Sequence, residues 1–322
     1  MSSPIVFNNG KNPKWKYYLK HYLLRALPNF IYQNRANKLL AAASSRKDYP
    51  ELMERVDYYN KLEEFTALKN PVSVADFELE DVDQKVYFFD AYQTLRGFAG
   101  HYQFCHEFGD VVHIPETPSI LKSRPISNVN QNSVLLKLNR VRHFVYIHKD
   151  KAFRQKKNKL VFRGKVTYKE QRRKFFEMYF QHTMCDLGDT QEKKINPDEW
   201  KVKKASIHYL LQYKFILAIE GIDVASNLKW VMSSNSLAVM PKPSYETWFM
   251  EAKLIPNYHY VEIKPDFSDL EERLNYYIEH EDEALQIIKN ANTYVQQFQD
   301  DEREELISLL VMQKYFKFTN PN

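Results

Sequence analysis

The chain has 322 residues, enough for two domains of roughly 150 residues, and its formal charge of +5 is so modest that its distribution matters more than its sum. Hydrophobic residues at 44% and charged residues at 27% exclude disorder of the whole chain. Only seven glycines are present, and neither a GxGxxG nor a P-loop sequence occurs, so any nucleotide must be held by cationic side chains or a helix N-terminus.

No run of about 18 apolar residues suggests a transmembrane helix, and the opening residues lack the apolar stretch of a secretory signal, so a cytoplasmic location is expected. Cys105 and Cys185 form no CxxC pair, which fits a reducing compartment. Residues 14–27 predict a helix with Trp15, Tyr18, Leu19, Tyr22 and Leu23 near one face among basic residues. Such a helix either docks on its own domain or lies on an anionic membrane surface. A second helix is expected over 49–68. Acidic residues from Asp76 to Asp83 precede strand-like Val86–Phe89, and Val111–Ile114 and Val134–Leu138 read as further strands. Residues 1–145 form one α/β domain in this reading.

Beyond it, strand-like Leu160–Phe162 leads to a helix over 169–180, a polar loop over 188–199 and a helix running into apolar Phe215–Ile219. A short helix over 226–232, a strand over 236–240, a helix over 245–254 and a strand over 260–263 then alternate, which implies a parallel sheet with crossover helices. Residues 146–300 make the second domain. The last fifty residues read as helices over 270–281, 283–298 and 302–316. Two such domains place a ligand at the carboxyl ends of strands.

The densest basic stretch spans 149–174 and would attract phosphate from a nucleotide, a nucleic acid or a lipid head group, or simply form a solvated face. Within it Arg163, Gly164 and Lys165 end a strand, where a guanidinium can bind phosphate oxygens bidentately. The turn Gly221–Lys229 opens a helix whose first N–H groups, at Val224, Ala225, Ser226 and Asn227, and whose Lys229 suit a pyrophosphate; a simple N-cap by Asp223 or Ser226 fits as well. Asp90, at the end of an expected strand, reads either as a general base or as the cap of a capping box with Gln93. Asp81 and Asp83 form a lone D-x-D before a strand, and His101, Cys105, His106 and His113 lack ligand spacing, so no metal site is expected.

The order Phe162-Arg163-Gly164, Tyr213-Lys214-Phe215, Gly221–Lys229, Leu254–Tyr260 and Asp266–Leu270 resembles glycosyltransferase family 90 over roughly residues 85–300, most closely its bacterial lipopolysaccharide-core branch. The resemblance implies a GT-B-like fold of two Rossmann-like domains facing a cleft, with helical extensions at both ends and residues 301–322 returning to the first domain. It implies an inverting, metal-independent transfer from a UDP-sugar to a glycan or glycolipid acceptor, with no cofactor. Asp90 resembles the family's base, with Asp110 as the alternative. Arg163, Lys229 and the turn at Ala225-Ser226 would hold the departing UDP, with Arg172 joining the phosphate site and Glu246 or Glu251 holding the ribose. Lys165 and Lys229 depart from the serine and arginine of eukaryotic members, which keeps phosphate binding and leaves donor choice open. The enzyme would work at the inner face of the cytoplasmic membrane. The rival readings are a nucleic-acid-binding module using 149–174 and a non-catalytic glycan-binding protein of the same fold.

Overall fold

The computed structural model describes residues 12–166, 170–193 and 195–321; Lys169 of the basic stretch and the first eleven residues lie outside them. The chain divides into two compact units. The first gathers Lys14–Val141, Ser244–Ala252 and Phe298–Asn322, and the second Arg142–Pro243 and Lys253–Gln297, with Asn12 and Pro13. The division is thus discontinuous, where the sequence suggested simple breaks near 145 and 300.

The first unit begins with helices Lys14–Arg25, Asn29–Ala43, Tyr49–Tyr59 and Lys85–Leu95. The last of these contains Val86–Phe89, which reads as a strand in the sequence. Residues 86–91 are all buried, and a continuous apolar run does not separate a strand from a helix buried on every side. Its strands are β1 (Val72–Ser73), β2 (Gln103–Glu107), β3 (Ser119–Leu121), β4 (Ser123–Pro125) and β5 (Ser133–Leu135). Strands β2, β3 and β5 are parallel neighbours, with β1 antiparallel at the edge. Val111–Ile114 lies in the loop between β2 and β3 rather than in a strand. Loops, not helices, join these parallel strands, so the Rossmann-like winding expected of this half is not its architecture.

A strand from far along the chain, Tyr245–Thr247 (β10 in chain order), pairs antiparallel with β4. It replaces the first part of the helix expected over 245–254, of which only a short 3-10 turn, Glu251–Lys253, is helical. Glu246 directs this outcome: its carboxylate accepts from Arg124 Nε at 2.8 Å and from the Tyr58 hydroxyl, so the segment is fixed by buried partners rather than by its own helix propensity.

The long helix Asp301–Thr319 closes the unit. Asp300 caps it by accepting from Arg303 N at 3.0 Å, and its first-turn acids suit the positive end of the helix dipole. Leu306, Ile307, Leu309, Leu310, Val311 and Met312 are all buried, which marks a helix surrounded by protein. Glu304 in its first turn is buried too. It pairs with Arg55 Nη1 at 2.6 Å and Lys137 Nζ at 3.0 Å, and accepts from Trp248 Nε1 at 2.6 Å. Trp248 stacks on Tyr59 with centroids 3.8 Å apart.

The second unit is wound as alternating strands and helices. Its strands are β6 (Lys157–Gly164), β7 (Cys185–Asp189), β8 (Tyr213–Leu217), β9 (Leu237–Met240) and β11 (Val261–Glu262), all parallel in the order β11-β9-β8-β6-β7. Every residue of β8 and β9 is buried, as expected of strands covered on both faces. Helix Glu170–Tyr179 connects β6 to β7, the short helix Ile207–Leu210 precedes β8, and Leu228–Met232 precedes β9. β7 is not read from the sequence, since CDLGD carries few apolar residues, and its last two residues fall in the expected polar loop over 188–199. Helices Leu270–Glu279 and Glu281–Gln296 follow. Among the described residues no helix is long and apolar enough to cross a membrane.

The Glu304 network yields a stability prediction. Burial pushes the Glu304 carboxyl up, but the charges of Lys137 and Arg55 and their hydrogen bonds outweigh it and hold the group below its ordinary 4.5. A depressed carboxyl stabilises the fold above the unfolded value, and this contribution is lost as pH falls through the folded value below 4.5. Glu304→Gln leaves two buried cations uncompensated and is expected to lower the unfolding free energy by about 3–5 kcal/mol, measured by urea denaturation at neutral pH.

Candidate active site

The order β7-β6-β8-β9-β11 reverses direction at β6: the chain moves from β6 to β7 on one side, then back across to β8 on the other. The carboxyl ends of β6 and β8 therefore form a switch point, where an open α/β sheet leaves a crevice for a ligand. Arg172, from the helix after β6, lies there. Its Nε donates to Glu220 O at 3.0 Å, its Nη2 to Ile219 O at 3.0 Å and its Nη1 to Lys165 O at 2.9 Å. The guanidinium is clamped by the backbone beyond both strands. Three of its five N–H groups are used, leaving two for a ligand.

No carboxylate touches this guanidinium among the described residues. Burial lowers the Arg172 pKa to about 10, the nearby positive charge of Arg142 adds to the effect, and Asp223 opposes it. A guanidinium whose charged form is disfavoured by burial and by a like charge is stabilised by an anion placed against it. Gly221 leaves room for the arrangement, because a Cβ there would stand 3.1 Å from Arg172 Nη2. Lys165 follows β6 with an exposed side chain.

Arg163 has a different position from the bidentate phosphate clasp expected of it. Its Nη1 donates to Phe162 O and Asp186 O, and its Nη2 to Asp186 Oδ1 at 2.5 Å and the Tyr209 hydroxyl at 3.2 Å. Burial raises the Asp186 carboxyl, but hydrogen bonds from Tyr213, Arg163 and Tyr209 outweigh it and hold the group below its ordinary 3.8. Gly188 on β7 makes this possible: a Cβ there would stand 2.9 Å from Arg163 Cδ and 2.2 Å from Val202 Cγ2. Arg163 thus ties β6 to β7. Gly164 completes the strand, and a Cβ on it would meet the Phe162 ring at 2.7 Å.

The turn after β8 places Val224 and Ala225 in the interior and Ser226 and Asn227 at half exposure. The helix it opens, Leu228–Met232, has only five residues, so its dipole is slight, and its N-cap is Asn227 without a side-chain cap bond. Asn227 instead donates to Leu217 O at 2.9 Å, and Lys229 is fully buried. The two ribose candidates belong to the first unit and are buried there. Glu246 is engaged as described above, and Glu251 accepts from Thr247 N at 2.6 Å and from Thr247 Oγ1 at 2.9 Å.

The two candidate bases, also in the first unit, differ sharply. Asp90 lies in mid-helix with a fully buried side chain, neither at a strand end nor at a helix cap. Its Oδ1 accepts from the Tyr17 hydroxyl at 2.7 Å and Arg140 Nε at 2.8 Å, and its Oδ2 from Arg140 N at 2.8 Å. Burial and the charge of Asp90 push the Tyr17 phenol well above its ordinary value. Asp110 lies in the loop after β2, following Gly109, whose φ of +130° suits a residue without a Cβ. Its side chain is 31% exposed, and Oδ1 meets the Lys122 ammonium at 2.5 Å. Its other oxygen accepts no hydrogen bond among the described residues.

The basic stretch does not form one face. Lys156 is buried against Asp150, Leu211 O and Ser236 Oγ, each within 2.9 Å, while Arg154 pairs with Glu281 and Arg173 with Glu177. Among the described residues no group of three or more His, Cys, Asp or Glu side chains is arranged to hold a metal.

A wound parallel sheet with guanidinium groups at its switch point is the layout in which α/β proteins take phosphorylated ligands. The profile of glycosyl transferase family 90 matches residues 129–320. The O-glucosyltransferase LpsA of Dichelobacter nodosus is 40% identical over 312 residues, covering 96% of each chain. Protein O-glucosyltransferase 3 of Rattus norvegicus is 27% identical over half of this chain and 32% of its own length. The human protein of that name is 29% identical over 36% of this chain and 22% of its own length. The chain belongs to glycosyltransferase family 90, and with it to the glycosyltransferases.

The Asp90 geometry predicts a structural phenotype. Asp90→Ala removes three hydrogen bonds to one carboxylate and leaves Arg140 partly uncompensated, so it should lower stability by about 2 kcal/mol, read as a fall in melting temperature.

Proposed function

We propose that the protein is an inverting transferase that moves glucose from UDP-glucose onto a glycan acceptor of the lipopolysaccharide or lipooligosaccharide core. The observation that carries the reading is the Arg172 guanidinium, clamped at the switch point beside Arg142. The LpsA relative supports both the sugar and the class of acceptor. In this reading the diphosphate of the donor lies against Arg172, Arg142 and Lys165, while Arg163 and Asp186 hold the strand ends that position it.

The reaction is a single displacement. Asp110 takes the proton of the acceptor hydroxyl as its oxygen attacks C1 of the sugar from the face opposite the leaving group. The bond from C1 to the phosphate oxygen breaks, and UDP departs with the electron pair. The added charge on the departing phosphate is met by cations that are already in place, which is where side chains lower a barrier most. Asp110 replaces Asp90 as the first choice of base because one of its oxygens is open to a substrate, whereas both oxygens of Asp90 are engaged inside the protein. Lys122 orients the Asp110 carboxylate. No step calls for a metal.

The test is a thermal-shift screen with UDP, UDP-glucose, UDP-xylose, UDP-galactose and UDP-N-acetylglucosamine in the presence of EDTA. UDP compounds should raise the melting temperature, UDP-glucose most among the sugars. Arg172→Ala should weaken UDP binding about tenfold to a hundredfold, from the loss of charge-assisted hydrogen bonds. Asp110→Asn should keep the shift and lose roughly 10²–10⁴-fold in transfer rate. Absence of any UDP shift, together with steeply salt-dependent binding of single-stranded nucleic acid, would overturn the reading in favour of a nucleic-acid module.

A further inference from the structure

We infer that the face formed by the helix Lys14–Arg25 and the start of the helix Asn29–Ala43 docks on an anionic lipid surface. The inference is independent of the donor chemistry. The first helix is fixed to its unit by one side only. Tyr17 donates to Asp90, His21 is buried, and the rings of Tyr18, His21 and Tyr22 pack against Phe89. The opposite side carries Trp15, Leu19 and Leu23 at i, i+4 and i+8, one continuous stripe on a helix, with Tyr22 at its edge. Trp15 is 64% exposed and Leu23 65%. The stripe therefore faces solvent, rather than the domain the helix packs on.

Further exposed apolar side chains follow in the chain, in the turn and at the start of the next helix. Leu27, Phe30 and Ile31 are all exposed, Phe30 at 60%. Scattered exposed apolar side chains need no explanation, but a contiguous patch marks an interaction surface. Charge identifies the partner. Lys14, Lys16 and Lys20 are exposed on the first helix, Lys85 reaches the Tyr22 hydroxyl at 3.2 Å, and no acidic residue occurs in the sequence before Asp48. An aromatic and aliphatic stripe with lysines beside it, on two helices that carry no carboxylate of their own, suits the boundary between acyl chains and anionic head groups. A second copy of this chain is the poorer occupant, because a two-fold contact would set these lysines against their own equivalents.

The full chain is to be floated with phosphatidylcholine vesicles with and without phosphatidylglycerol, at low and high salt. Binding to the anionic vesicles alone is expected, weakened by salt and by roughly fivefold for each lysine removed in Lys16→Gln and Lys20→Gln. Leu19→Asp with Leu23→Asp should abolish binding and leave the melting temperature unchanged, since both side chains are exposed. The two lysine variants keep the apolar stripe and carry the test if the double variant fails to fold. Equal binding to neutral vesicles, no binding, or binding unaffected by these substitutions would overturn the inference. So would a concentration-dependent dimer in sedimentation that Leu19→Asp with Leu23→Asp abolishes in a protein that ignores vesicles.

Discussion

Glu304 is the point at which the first unit is tied together. Its carboxylate meets Arg55 from the third helix, Lys137 from the stretch after β5 and the indole of Trp248 from the inserted segment around β10. Two cations and one anion buried together cost desolvation that their mutual attraction offsets only with good hydrogen bonds to every group. The surroundings meet that requirement. Arg55 also donates to the Tyr59 hydroxyl, which in turn donates to Trp248 O, and Lys137 donates to Phe298 O. The network specifies which segments meet, beyond what apolar packing alone would require. The Arg124–Glu246 pair repeats the logic a short distance along the chain, fixing β10 against β4.

The second unit uses charge differently. There the middle of the sheet is largely apolar, and its ionic groups, Asp186, Arg163 and Lys214 among them, lie toward the strand ends. Arg163 is neutralised by Asp186 and serves the sheet. Arg172, held by carbonyl oxygens alone, keeps its charge available. The contrast between a cation given a carboxylate and a cation given only backbone is what favours Arg172 over Arg163 as the proposed contact for the donor's diphosphate.

Much of this was legible in the sequence, and the rest was hidden for identifiable reasons. The second unit's strands at Leu160, Leu237 and Val261 read correctly because they are short apolar runs bounded by polar turns. The helix Lys85–Leu95 did not, because its Val-Tyr-Phe-Phe run is apolar on every side and its period is invisible. β10 was missed because its strand character comes from Arg124, more than a hundred residues away, and no local pattern carries that. The basic character of the strand-end site was legible at Arg163 and Arg172, yet their division of labour was not. It depends on Asp186, in a stretch the sequence leaves unassigned, and on Gly188, which reads as the start of a loop. The stripe Trp15–Leu23 was visible as an amphipathic face, but the sequence could not say that Tyr17 and His21 anchor the helix and leave the stripe outward.

The threading of the chain has a consequence for how it comes into being. The first unit needs residues on either side of the second: the segment Ser244–Ala252 and everything after Phe298. On the ribosome its early helices emerge long before Glu304 does, so Arg55 and Lys137 spend most of synthesis without the carboxylate that makes their burial tolerable. The second unit, apart from its closing helices, can gather its sheet while that wait continues. The usual order, in which the N-terminal domain folds first, is therefore inverted here. The half that is made first is the half that must finish last.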